Sequence, residues 1–326
     1  MFEILVLGAT GFIGGHIAKA ALQEGWKVRG FRRRAGSTGH LQSNKLQWIE
    51  GDLMQPASLE QAMDGVDLVF HAAAYYPNSA SHHTLDQHID TAKTEIEHIV
   101  KAAHRASIRR LIYTSSMSTI GLPPEDEDRL ADERDVYKPG TLPGNAYYEV
   151  KSIMERAVHT AVDKGLNAVI VNPTAVFGPG DVHLTTGRIL VAAARGRIPV
   201  VPPGTMNFVD ARDVAQGQIA AARMGSTGER YILGGHNLSI PQTMKRIAEI
   251  ANASPPLFTI PEAVLQAAVS LFNGIPFLST PDHLQAYTRW QGYNTQKAQE
   301  DLDLSPRSFA ETIQDSLSWF QNHGMI

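Results

Sequence analysis

The chain has 326 residues, 43% of them hydrophobic, with 29 Lys and Arg against 33 Asp and Glu for a formal net charge of -4. This composition suffices for a large core and gives no electrostatic case for nucleic acid, since the longest basic run is Arg32-Arg33-Arg34. The absence of cysteine excludes disulfides, thiolate catalysis and cysteine-ligated metal centres, and it fits a cytoplasmic protein.

The opening MFEILVLGATGFIGG carries Glu3, has no basic start and is broken by glycines, so it reads as folded chain rather than a targeting segment. Nowhere do apolar residues run for the roughly 18–20 positions of a membrane span, and no membrane contact is expected. Strand-like runs then alternate with amphipathic helical stretches. FEILVLG leads into the helical GFIGGHIAKAALQEG, followed by WKVRGFRR, LQWIEGDL, the helical PASLEQAMDG and VDLVFHAA. A helix near 84–106, the strand IRRLIYTSS, a polar loop, a helix near 147–164 and NAVIVNPTAVFG complete the series. Val, Ile and Leu dominate the strands, as in parallel strands covered on both faces.

Beyond Pro173, GPGDVH, RGRIPVVPPGT and ANASPPLFTIPEAV are rich in Pro and Gly. A last helix has apolar Phe309, Ile313, Leu317 and Phe320 at helical spacing. The pattern predicts an α/β fold, a doubly wound parallel sheet with a smaller C-terminal α/β lobe. The expected division is residues 1–172 for the domain built on the parallel sheet and 173–326 mainly for the smaller lobe, with the segment near 207–224 returning to the first.

Gly8-Ala-Thr-Gly11-Phe-Ile-Gly14 sits where the first strand turns into the first helix. Gly8 permits the tight turn, Gly11 lets a pyrophosphate approach the backbone, and Gly14 lets helix and strand pack closely. The free N–H groups of the helix start hold the phosphates. Gly8, Thr10, Gly11, Phe12, Ile13 and Gly14 are therefore candidate cofactor contacts in a Rossmann-type domain. The second strand ends at Arg32 and Arg33 with no acid in place, and a guanidinium suits a 2′-phosphate. NADP is the expected cofactor, NAD the alternative, with Arg33 the first choice and Arg32 the second for the phosphate contact.

With these motifs in view, the chain resembles the extended short-chain dehydrogenase/reductase family over nearly its whole length. The matching segments are LGATGFIGGHI, EGDL, VFHAAA, LIYTSSMSTIG, YYEVKSIMERAV, VNPTAVFGPGD, NFVDARDVAQGQIAA, ERYILGG and YNTQKA. The resemblance implies Ser116, Tyr147 and Lys151 as the catalytic residues. Tyr147 and Lys151 are four apart, on one helix face, where an ammonium favours the phenolate and so a general acid or base at a carbonyl or alcohol oxygen. Ser116 would hydrogen-bond the same oxygen, with Ser115 as runner-up and Tyr148 as the neighbouring decoy. By position, Asp52 and Leu53 would meet the adenine, Ala72, Ala73 and Ala74 would flank the ribose and pyrophosphate, and Pro173, Thr174 and Val176 would lie against the nicotinamide. Asp90-Thr-Ala-Lys93-Thr94 departs from the family's Asn-x-x-Gly-Thr.

The family holds both nucleotide-sugar epimerases or dehydratases and carbonyl reductases similar to dihydroflavonol reductases. Ala175 and Met206 stand where the sugar enzymes commonly carry Asn and Arg for a diphosphate, and no Arg-x-Gly-Asp segment is apparent near 275–295. An apolar set, Leu265, Phe272, Phe277 and Leu278, lines the C-terminal part. NADPH-dependent reduction of a ketone or aldehyde is therefore the expectation. A redox-neutral sugar epimerase and a catalytically silent NADP-binding regulator are the alternatives. GERYILGGHNLSI and PTAVFGPGD also resemble a bacterial branch of hopanoid-associated sugar epimerases, which keeps the first alternative open. The polar loop after Ser116 and Tyr75 and Tyr76 would border a small carbonyl or alcohol substrate. His71 reads as a packed strand-end residue, and His82, His83, His88 and His98 lack a ligand motif, so no metal is expected. The resemblance also implies a homodimer.

Overall fold

The structure is a computed structural model that describes residues 1–326 except 42, 44, 74, 78–82, 143, 144 and 268–289. Seven parallel strands form the main sheet: β1 (Glu3–Leu7), β2 (Lys27–Arg32), β3 (Leu46–Glu50), β4 (Leu68–His71), β5 (Arg110–Thr114), β6 (Ala168–Pro173) and β10 (Arg230–Leu233). Their order is β10-β6-β5-β4-β1-β2-β3, so the order reverses between β1 and β4 and opens a crevice beyond the strand ends there.

Alternation along β1 shows why the sheet is sandwiched. Ile4 and Val6 point into a layer shared with α1 (Phe12–Gln23) and α6 (Ala211–Met224). Leu5 and Leu7 point into a layer formed with α2 (Pro56–Met63), α3 (Leu85–Arg105) and α4 (Ala146–Asp163). All four are fully buried, each contributing roughly 1.5–3 kcal/mol as an upper bound. Thr84 starts α3 with a capping box to Gln87. Asn145 starts α4, its side chain accepting from the Tyr148 N–H.

NAVIVNPTAVFG, read as one strand, is two. β6 ends at Pro173, whose ring leaves no N–H for further pairing, and after Thr174 the chain resumes as β7 (Ala175–Phe177) in another sheet. That sheet, ordered β11-β9-β7, adds β9 (Thr205–Asp210) and β11 (His236–Ser239). A third pairs β8 (Val200–Val201) with β12 (Phe258–Thr259). Around them pack α5 (Gly187–Ala194), α7 (Ile240–Ile250) and α9 (Phe309–Asn322), whose Ile313, Leu317 and Phe320 are buried and whose Phe309 is half-buried. Phe177 and Phe208 stack there at 5.3 Å between ring centres. The helix α8 (Gln296–Leu302) returns to the main sheet, burying Ala298 and Leu302 in the layer of Ile4. The result is a Rossmann-type core with a smaller C-terminal α/β lobe. Among the described residues no helix is long and apolar enough to cross a membrane.

Candidate active site

At one end of the crevice the glycine turn is a cradle made by omitting side chains. Gly8 has φ +87°, and a Cβ there would stand 2.7 Å from the Ala73 nitrogen. A Cβ on Gly14 would stand 2.0 Å from the Gly8 carbonyl oxygen, and the Gly11 N–H donates to that same oxygen at 2.9 Å. Gly11 is the N-cap of α1 and no side chain caps it, so the first-turn amides around Phe12 and Ile13 remain to receive an anion. This geometry fits a dinucleotide pyrophosphate, with Thr10 completing the turn.

The second cluster lies just past the end of β5, where Ser116 caps the short turn Met117–Thr119. The Tyr147 hydroxyl donates to Ser116 Oγ at 3.1 Å, and the Ser118 N–H donates to the same oxygen at 3.1 Å. Ser115 instead faces Thr119 at 3.4 Å, and the ring of Tyr148 packs on Tyr137 at 5.4 Å. The structure thus brings Tyr147 to Ser116 and turns both runners-up elsewhere. Lys151, one turn along α4, is buried, as is Glu155 one turn further.

Beneath Ser116 lies a polar network that sequence reasoning missed. Asn172 Nδ2 donates to the Ser116 carbonyl at 3.2 Å, to Thr119 Oγ1 at 2.8 Å and to Glu155 Oε2 at 2.9 Å. Thr119 Oγ1 donates to Glu155 Oε2 at 2.7 Å, and Arg230 Nε pairs with Glu155 Oε1 at 2.9 Å. Arg230 also donates to the Thr119 carbonyl at 3.0 Å. The short 3₁₀ turn Met117–Thr119, and with it Ser116, is therefore tied to β6, α4 and β10 at once. The signals were a polar Asn172 within an apolar strand and a Glu155 on the helix face of Lys151.

Burial sets the electrostatics. It pushes the Tyr147 phenol up to about 12, against the opposing hydrogen bond to Ser116. It pulls the Lys151 ammonium down to about 8, while the carboxylates of Glu95 and Glu155 hold it up. Glu95, buried on α3, is pushed by desolvation up to about 7; its Oε1 accepts from the Tyr75 N–H at 3.0 Å, which works the other way. His71 is fully buried and stacks on Tyr113 at 5.3 Å. Burial, then the Lys151 charge, lowers it to about 3, so it is a neutral packed residue.

The other candidate positions fall around this floor. Asp52 turns its carboxylate to the Met54 N–H at 2.9 Å, and Leu53 and Ala73 pack in the layer of Leu7. The Ala72 N–H donates to the Leu7 carbonyl at 2.9 Å, while Ala74 lies outside the described residues. Thr174 and Val176 are buried, and Thr174 Oγ1 donates to Asn207 Oδ1 at 2.8 Å. Ala175 is buried and Met206 half-buried. The exposed Tyr76 lies with its ring 5.0 Å from that of Tyr147. Tyr75 Oη pairs with His88 Nδ1 at 2.6 Å. Of the apolar set, Leu265 is buried and Phe272, Phe277 and Leu278 lie outside the described residues, as does His82.

A glycine cradle, a reversal of strand order and a Ser–Tyr–Lys group now stand together. Residues 4–234 match the NAD dependent epimerase/dehydratase family. The chain belongs to that family. Within this epimerase/dehydratase family it is 31% identical to a putative dihydroflavonol 4-reductase of Synechocystis, over 98% of this chain and 95% of the relative. Among solved structures it is similar to a nucleoside-diphosphate-sugar epimerase of Pseudomonas aeruginosa, at 25% identity and a TM-score of 0.83, with 100% and 99% of the two chains covered. It is an enzyme of the NAD(P)-dependent oxidoreductase/epimerase type.

The expected NADP preference is corrected. The dinucleotide named in solved complexes of this fold is NAD, as in WbmH of Bordetella bronchiseptica, at 19% identity and a TM-score of 0.75 over 99% of this chain and 100% of that one. UDP-glucuronic acid 4-epimerase of Bacillus cereus, also with NAD, matches at 19% and 0.75 over 98% and 99%. The structure also takes up one of the two candidate phosphate contacts, the second choice Arg32. Arg32 sits in register with Glu50 across β2 and β3, donates to its Oε1 at 3.0 Å, and lies over Trp48 at 5.2 Å. Of the two guanidiniums assigned to a 2′-phosphate, one is already engaged by a carboxylate; Arg33 is exposed beside it.

Proposed function

We propose that the protein uses NAD to move a hydride at a carbinol or carbonyl carbon of a small molecule, in redox-neutral turnover of the epimerase or dehydratase kind. The observation that carries this reading is the Tyr147–Ser116 hydrogen bond of 3.1 Å above the buried Lys151, at the end of a crevice that begins with the glycine cradle. When bound, NAD accepts and returns the hydride at its nicotinamide ring. Gly8, Thr10, Gly11, Phe12, Ile13 and Gly14 would hold the pyrophosphate, Asp52 and Leu53 the adenine, Ala72 and Ala73 would flank the ribose and pyrophosphate, and Pro173, Thr174 and Val176 would lie on the nicotinamide side.

Ser116 Oγ would orient the substrate oxygen and Tyr147 Oη would exchange its proton. With the phenol held up at about 12, Tyr147 is protonated at neutral pH and suited to donate to a carbonyl oxygen. Taking a proton from an alcohol needs positive charge nearby, which Lys151, still mostly protonated near pH 7, would supply. The network of Asn172, Thr119, Glu155 and Arg230 would keep Ser116 in place through both steps.

Family membership and the relatives named as epimerases support redox-neutral turnover of a sugar nucleotide. A second reading, net reduction of a ketone, is favoured by the apolar Ala175 and Met206 and by the 31% identical reductase-named relative. Incubation with NAD and a panel of nucleotide sugars, followed by NMR, is expected to yield a new epimer or a dehydrated sugar with no net change in absorbance of the reduced cofactor. Failure on every sugar together with steady oxidation of reduced cofactor by aliphatic or aromatic ketones would replace the first reading by the second.

A further inference from the structure

Away from the crevice, a cavity of about 630 Å³ opens between α1, the chain around His40 and Leu41, and the C-terminal end of α9. Its volume lies within the roughly 300–1,000 Å³ of small-molecule sites. Lys19, on its wall, is seven residues beyond Phe12, so it stands roughly 10 Å along α1 from the glycine turn. Lys19 thus stands off from the glycine turn along α1, while His40, another lining residue, packs against Gly15 of that helix.

Three features of the walls say what would fit. Lys19 and Lys45 line the space, and no carboxylate is among its described lining residues. Trp319 and His323, which also line the space, stack at 4.0 Å between ring centres with planes 23° apart. His40 closes one side, its ring clamped so that a Cβ on Gly15 would stand 2.3 Å from Cε1 and one on Gly180 2.9 Å from Cγ. Burial, with the charges of His16 and Lys19 adding to it, lowers His40 to about 4, so this wall is neutral. Two ammonium groups and an aromatic plane among the described lining residues suit an anion that carries an aromatic ring. Two ammonium groups as point charges suit a phosphate.

We propose that this cavity is a second binding site, for an aromatic phosphate of nucleoside-monophosphate size, with its ring on Trp319 and its phosphate between Lys19 and Lys45. The test titrates AMP and phenyl phosphate onto the NAD-saturated protein by calorimetry, with adenosine and phenol as uncharged controls. Both phosphates are expected to bind saturably and the controls are not. Joint Lys19→Ala and Lys45→Ala substitution should weaken both phosphates by about tenfold or more, and the paired Lys→Arg variant should retain them. NAD affinity should stay within about twofold in every variant, since these side chains lie outside the crevice. No saturable binding to the NAD-saturated protein, unchanged binding in the paired Ala variant, or binding only when NAD is absent would each overturn the proposal.

Discussion

The two ends of the crevice are built in opposite ways. At the glycine turn the chain omits side chains, so that backbone meets backbone between Gly8, Gly14 and Ala73. At the other end it buries Lys151, Glu155, Glu95, Arg230 and Asn172 in one region. The first end needs no ionisable partner, only freedom at φ and close approach. The second must answer every buried charge with another, because an unanswered one in low dielectric is costly. One end leaves no room for a Cβ at Gly8 or Gly14; the other depends on a buried ion pair such as that of Glu155 with Arg230.

The sharpest break of the first end is Gly14→Ala. The added methyl would meet the Gly8 oxygen at 2.0 Å, backbone that has no rotamer to escape into, so the turn itself must open. The expected loss exceeds the roughly 1–3 kcal/mol of ordinary overpacking, and NAD binding by calorimetry should vanish. At the second end, Tyr147→Phe should lower kcat by about 10²–10⁴-fold while NAD affinity persists. Near-normal turnover of any substrate by that variant would remove Tyr147 from the chemistry.

Gln replacing Glu155 tests the partner rule. Glu155 accepts from Thr119 and Asn172 and pairs with Arg230, all within a buried region, so Glu155→Gln leaves the guanidinium without its counter-charge. Breaking such a pair costs about 3–5 kcal/mol, read as a lower midpoint in urea unfolding. Replacing Arg230 and Glu155 together by Met and Gln should cost less than the sum of the single changes if the two act as one unit.

How much of each end was legible follows from the same contrast. The glycine turn is local: seven consecutive residues hold its spacing, and neighbouring strand and helix patterns give its context. Tyr147 and Lys151 are one helical turn apart, and Ser116 closes a strand, so these too lay within reach. The network was not legible, because Thr119, Glu155, Asn172 and Arg230 become neighbours only through the order β10-β6-β5. The same holds for β10 itself, which joins the main sheet from beyond the expected boundary at 172, and for the break at Thr174. Arg32, the second choice for a phosphate contact, was read without its partner for the same reason. Its carboxylate partner Glu50 is 18 residues away in sequence and adjacent only through the β2–β3 register.

Glu95 sharpens the comparison through pH. Desolvation holds its folded carboxyl at about 7 against an ordinary 4.5, so between those values the folded state keeps a proton that the unfolded chain has released. Its neutral form is favourable to the fold: that contribution is complete below about 4.5, falls as pH rises and is gone above about 7. The interval amounts to about 3 kcal/mol at most. Glu95→Gln keeps an acceptor for the Tyr75 N–H and removes the ionisation. Its stability relative to the parent should therefore rise by up to about 3 kcal/mol between pH 4.5 and pH 8 in urea titrations. A pH-independent difference would mean that Glu95 is solvated rather than buried against Lys151.

The smallest effect is expected at Arg32, and its size is what makes it useful. Arg32 is mostly buried while Glu50 is half exposed, with side-chain exposures of 15% and 54%. Such a pair is screened, and the stack on Trp48 adds a comparable amount, so Arg32→Ala should cost about 1 kcal/mol of stability. Its guanidinium is already spent on Glu50 and Trp48, so NAD affinity should change by no more than about threefold. Glu50→Gln should do likewise, since it frees the guanidinium without adding a group that touches the crevice. If either variant instead weakened NAD binding by about a hundredfold, the β2 end would be part of the cradle after all, and the contrast between a backbone-built end and a charge-built end would not hold.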